Sequence, residues 1–112
     1  MNPGYDYKEM GWEALALDEP NMGYEFNTLM FWRTGSGVVF SGASCGCSCP
    51  IPFEEYAGET TEEVEQKLER VGSLAQAERI IDGWNKGYDN RPLVDHGERT
   101  AALDTLKAWG LS

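Results

Sequence analysis

The chain predicts an α+β fold: a small antiparallel sheet of two or three strands in the N-terminal half, packed against two or three short helices in the C-terminal half. Two observations carry that expectation. Aromatic and β-branched residues alternate on both sides of a glycine turn between Tyr24 and Ser44. In the second half, Thr or Ser or Asp is followed three residues later by Glu or Gln, three times, each time ahead of an apolar stripe. A length of 112 residues fits one domain. Four Trp, five Tyr and four Phe supply large rings for its core.

Residues 1–11 read as a loose arm, punctuated by Pro3, Gly4 and Gly11. Trp12 to Leu17, "WEALAL", reads as a first strand because the turn cluster "DEPNMG" follows it. Tyr24 to Thr34 is the clearest strand. Tyr24, Phe26, Thr28, Met30 and Trp32 fall on one parity, with Leu29, Phe31 and Arg33 on the other. "TGSG" supplies the hairpin, since glycine accepts the positive φ that such turns need. Val38 to Ser44 is the return strand.

The first helix runs from Thr60 to Val71, with Thr60 and Glu63 as its capping box and Val64, Leu68 and Val71 as its stripe. Gly72 ends it. The second opens on Ser73 and Gln76, carries Leu74, Ala77, Ile80, Ile81 and Trp84, and takes Gly87 as its C-terminal cap. The third opens on Asp95 and Glu98, carries Ala102, Leu103, Leu106 and Trp109, and ends at Gly110. Helices this short depend on packing for their stability. Asn85 to Val94 reads as a surface loop.

The formal charge of −10 is the strongest global feature. It opposes direct binding of nucleic-acid phosphates, which needs Lys and Arg to displace counterions. It equally opposes adsorption to an anionic membrane. No apolar run approaches the roughly 20 residues of a membrane helix, and the N-terminus shows no basic n-region. The expected setting is a reducing cytosol, where stable disulfides are rare.

All three cysteines lie within "SGASCGCSCPIPFEEY", Ser41 to Tyr56, as C-x-C-x-C. Cys45, Cys47, Cys49 and His96 are the candidate ligands of a structural zinc, with Glu54 or Glu55 as oxygen alternatives. In an extended strand Cys45 and Cys49 stand about 13 Å apart, so one ion holds all three thiolates only if the chain curls. A disulfide within the cluster meets poor side-chain directions. A catalytic thiol would need His96 as its base. The plain reading is that small residues end a strand and free cysteines pack as small hydrophobes. Pro50 and Pro52 then stiffen a connector pinned by Phe53 and Tyr56.

Cys47-Ser48-Cys49-Pro50-Ile51-Pro52-Phe53-Glu54, behind an aromatic strand and glycine hairpin, resembles a family of small proteins of actinobacteriophages, mycobacteriophages among them. Their shared motif has the form C-S-C-P-x-P-[FW]-E. The resemblance covers roughly Tyr24 to Tyr56 and leaves Cys45 outside the motif. It implies a phage-encoded protein made in the host cytoplasm, and carries no catalytic residue with it.

An acidic belt follows, comprising Glu54, Glu55, Glu59, Glu62, Glu63, Glu65 and Glu69 against Lys67 and Arg70. Acids in a first helical turn favour the macrodipole, so part of the belt is ordinary helix chemistry. The sharper expectation is a carboxylate surface for a basic protein groove, which a concentrated negative field would attract. Nineteen Asp and Glu make a chance carboxylate pair meaningless without geometry. The functional expectation is a non-enzymatic accessory protein acting by protein–protein contact. Its interaction residues are Cys47, Cys49, Pro50, Pro52, Phe53, Glu54, Glu55, Glu62, Glu63, Glu65 and Trp32. Trp12, Tyr24, Phe31, Trp32 and Phe40 exceed what one sheet face buries. The second face is therefore expected to meet a partner, a second copy of the chain, or the folded-back N-terminal arm.

Overall fold

Alternation on both sides of a glycine turn becomes the centre of the sheet. The computed structural model describes residues 11–20, 25–47, 60–86 and 91–112. The strands are β1 (Glu13–Asp18), β2 (Glu25–Arg33), β3 (Val39–Cys47) and β4 (Glu69–Val71); the helices are α1 (Thr61–Lys67), α2 (Leu74–Trp84) and α3 (His96–Ala108). The four strands form one antiparallel sheet in the order β1-β2-β3-β4. The fold is α+β, with one strand more than the two or three expected.

The β2–β3 hairpin closes through a bond from the Thr34 N–H to the Val38 carbonyl at 2.9 Å. Gly37, at φ +88°, takes the left-handed position that lets the loop match the strand twist. The Thr34 hydroxyl also accepts from the Val38 N–H at 3.2 Å. Each helix begins at its expected cap. Thr60 Oγ1 accepts from the Glu63 N–H, Ser73 Oγ from Gln76, and Asp95 Oδ1 from Glu98, at 3.2, 3.1 and 2.8 Å.

The first helix is shorter than its apolar stripe implies. It stops at Lys67, Leu68 turns to extended backbone, and Glu69–Val71 pair with β3 as β4. Val64 and Leu68 lie in one core and Val71 in another. A stripe spaced for one helix is thus divided between the two faces of the sheet. Three residues of strand outweigh one more helical turn because they pair with the outward backbone of β3.

Core formation follows the strand parity. On the first face, Leu17, Leu29, Phe31, Val39 and Val71 pack with Ala77 and Ile81 of α2 and Ala102 and Leu106 of α3. On the second face, Trp12, Trp32, Phe40, Val64 and Leu68 form a separate cluster. Trp12 stacks on Phe40 with centroids 6.1 Å apart. Among the described residues, Val64 of α1 and Leu68 just beyond it pack on the rings of the second face. The expected arm lies outside the described residues except for Gly11, at φ +78°.

The helix ends differ in chemistry. At the end of α3, Gly110 takes φ +106°, its N–H bonds the Lys107 carbonyl, and the Leu111 N–H reaches the Leu106 carbonyl. That is a Schellman cap, with Leu111 buried behind it. At the end of α2 the cap is Asn85, two residues before the expected Gly87, which lies outside the described residues. Asn85 Oδ1 accepts from the Val94 N–H at 2.8 Å, so the residue whose backbone N–H closes the helix on the Ile81 carbonyl also anchors the returning loop by its side chain.

Candidate functional site

Helix α1 presents the described part of the acidic belt. Its Thr60 cap and the macrodipole favour Glu62 and Glu63 in the first turn. Val64 is fully buried and Leu68 nearly so, which fixes the rotation of the helix on the sheet. Glu62 and Glu63 are consequently exposed and Glu65 half-buried. Glu69 continues the acidic surface into β4, with Lys67 and Arg70 exposed beside it. The Glu69 carboxylate accepts from Gln76 Nε2 at 3.4 Å, and the same amide donates to the Arg70 carbonyl at 3.0 Å.

Beside this surface lies a cleft of about 250 Å³, lined by Ser41, Ala43, Lys67, Glu69 and Ile80 among others. It opens where β4 stops pairing at Ser41 and β3 continues to Cys47. The short β4 is its cause, and the helical spacing of Val64, Leu68 and Val71 conceals that strand.

Cys45 sits opposite Asn27 in the β2–β3 register, and its thiol is free and exposed. His96 is exposed at the start of α3. Neither belongs to a group of three or more His, Cys, Asp or Glu residues suited to a metal ion among the described residues. The Cys47 side chain and residues Cys49, Pro50, Pro52, Phe53, Glu54 and Glu55 lie outside the described residues. Trp32, expected on an interaction surface, is fully buried in the second-face core. Its alternation placed it correctly on that face, but the sequence did not reveal that Val64 and Leu68 would cover it.

A second charged constellation joins α2 to α3. Arg99 Nε and Nη2 donate to Asp82 Oδ1 and Oδ2 at 2.8 and 3.1 Å, and Glu78 stands 3.9 Å from the same guanidinium. The hydrogen bonds from Arg99 hold the Asp82 carboxyl below its usual range. This forked pair clamps two helices, seventeen positions apart. Sequence reading missed it because no short-range spacing links the two residues.

A family model described as a domain of unknown function, DUF7574, matches residues 1–106. The chain belongs to the DUF7574 family. That match spans the sheet, α1 and α2 and most of α3. No curated protein and no solved structure matches the chain. Among the described residues of this DUF7574 domain, no helix is long and apolar enough to cross a membrane.

Proposed function

We propose that this DUF7574 protein is a phage-encoded accessory protein that acts by binding a host or phage protein in the host cytoplasm. The observation that carries the reading is the division of labour between the residues of α1 and its cap Leu68. Val64 and Leu68 anchor the helix, while Glu62 and Glu63 point to solvent. A rotationally fixed helix offers its carboxylates at defined positions, with less side-chain and backbone entropy to lose on docking. The partner surface that suits it is a basic groove, and the overall charge of −10 speeds encounter with such a surface. The phage setting rests on the resemblance of the "CSCPIPFE" motif.

The test compares wild-type protein with a Glu62→Gln, Glu63→Gln, Glu65→Gln variant as baits in host lysate. The reading expects a captured protein whose recovery drops about tenfold with the variant and falls with added salt. Identical capture by both baits overturns it. The variant should fold normally, since Glu→Gln keeps side-chain size at two exposed positions and one half-buried one, and exposed substitutions usually shift stability by no more than about 0.5 kcal/mol.

A further inference from the structure

We propose that the outer edge of β1 is a strand-addition site for an extended, basic segment of a partner protein. The inference rests on the reading of this chain as a protein-contact module and assigns it a second surface, separate from α1.

The hydrogen-bond phase of the sheet identifies which groups face outward. The Glu19 N–H bonds the Asn27 carbonyl at 2.9 Å, continuing the register that pairs Glu13 with Arg33 and Leu17 with Leu29. Antiparallel ladders alternate bonded and non-bonded pairs. Odd-numbered residues of β1 therefore bond to β2, and the N–H and C=O groups of Ala14, Ala16 and Asp18 point away from the sheet. The hairpin bond from Thr34 to Val38 gives β2 the complementary phase, with its even-numbered residues bonding to β3. Among the described residues no strand pairs with the outer side of β1. Ala14, Ala16 and Asp18 are exposed. An edge of this kind is a template for another strand.

Charge selects the occupant. Acids stand at both ends of the strand: Glu13 at the start, Asp18 and Glu19 at the finish. Antiparallel pairing with a second copy over the full strand is centred on Ala16 and sets Glu13 opposite Glu19 of that copy. Like charges directly opposite destabilise a strand pair, and each chain brings a further −10. A basic strand meets Asp18 and Glu19 as attraction, while Glu13 is shared with Arg33 of β2, 3.8 Å away. Side chains opposite Glu13, Leu15, Leu17 and Glu19 fall on the first face, beside a half-buried Leu15 and a buried Leu17. The complementary pattern is basic, apolar, apolar, basic at alternate positions. Opposite Ala14 and Ala16 the small side chains leave room for a β-branched residue.

The probe is an acetylated, amidated peptide Lys-Thr-Val-Thr-Val-Thr-Lys, titrated into full-length protein and followed by amide NMR. The expected result is shift changes centred on residues 13–19, with binding about tenfold weaker when both Lys are replaced by Glu. N-methylating the probe's ladder-facing amides should abolish binding without touching the protein. Ala16→Pro should also abolish it, because that N–H carries no bond within the sheet and proline is tolerated on an edge. The Glu62→Gln, Glu63→Gln, Glu65→Gln variant should bind the probe like wild type, so loss of the α1 reading leaves this one standing. The proposal is overturned by shifts centred on α1, by an N-methylated probe that binds equally well, or by a free-protein dimer that Ala16→Pro dissociates. The last result assigns the edge to a second copy.

Discussion

Trp84 donates its indole N–H to the Asn27 side-chain carbonyl at 3.1 Å, tying the last turn of α2 to β2 across 57 positions of sequence. The Asn27 amide in turn donates to Glu19 Oε1 at 3.1 Å, so the tie reaches the residue just beyond β1. One polar side chain thus joins two strands and a helix. Trp84→Phe keeps most of the ring and removes the donor. It should cost about 1–2 kcal/mol, as a part-buried carbonyl loses its partner. Asn27→Ala should cost a similar amount, and the double variant less than the sum. Urea unfolding of the three variants measures this coupling, and strict additivity would show that the bond contributes nothing.

Helix α1 is a lid for the second core. Leu68 is 8% exposed and packs in the cluster that holds Trp12 and Trp32. Leu68→Ala should lower stability by about 2–4 kcal/mol. Red-shifted tryptophan emission should accompany it as the lid loosens. A loss under about 0.5 kcal/mol would place the helix on the surface without a packing role.

Acid should weaken the α2–α3 clamp. The folded-state pKa of Asp82 lies below the ordinary 3.8, because Arg99 bonds the ionised form. A depressed carboxylate pKa contributes stability above the unfolded value and loses it as pH falls through the folded one. The Asp82 side chain is 52% exposed, so solvent screening limits the contribution to at most about 1 kcal/mol. Asp82→Asn should be less stable than wild type near neutral pH, and the difference should begin to shrink as pH falls past 3.8 and vanish only once it is below the folded-state pKa. Chemical denaturation across that range checks the sign. A gap that widens in acid would contradict it.

Cys45 is exposed and its thiol is free, so it should react with a thiol reagent in the folded protein without unfolding. Cys45→Ser should remove that reactive site and alter stability by no more than about 0.5 kcal/mol. Mass-resolved labelling by position reads this directly. Protection of Cys45 that disappears when a chelator is added would assign it to a metal instead.

Local chemistry is legible in the residues alone. The three N-caps at Thr60, Ser73 and Asp95 depend on a side-chain oxygen and an amide three residues away, and all three stand where expected. The parity that separates Trp32 from Phe31 is a property of extended backbone, and it survives as two cores. The candidate site is less legible. Glu62 and Glu63 are exposed as the helix pattern implies, but Trp32 is buried in a cluster that includes Val64 and Leu68, more than thirty positions later.

By itself, the sequence determined the α+β class, the strand alternation, the hairpin, the helix starts and a strongly negative surface. Each follows from interactions within a few residues or from composition. Only the tertiary structure decided that α1 ends at Lys67, that Glu69–Val71 become a fourth strand, and that Val64 and Leu68 pack on the second face. It also decided the Asn27–Trp84 and Asp82–Arg99 pairings. These outcomes turn on which distant backbone edge or apolar face is nearest once the chain has collapsed, and no local spacing encodes that distance.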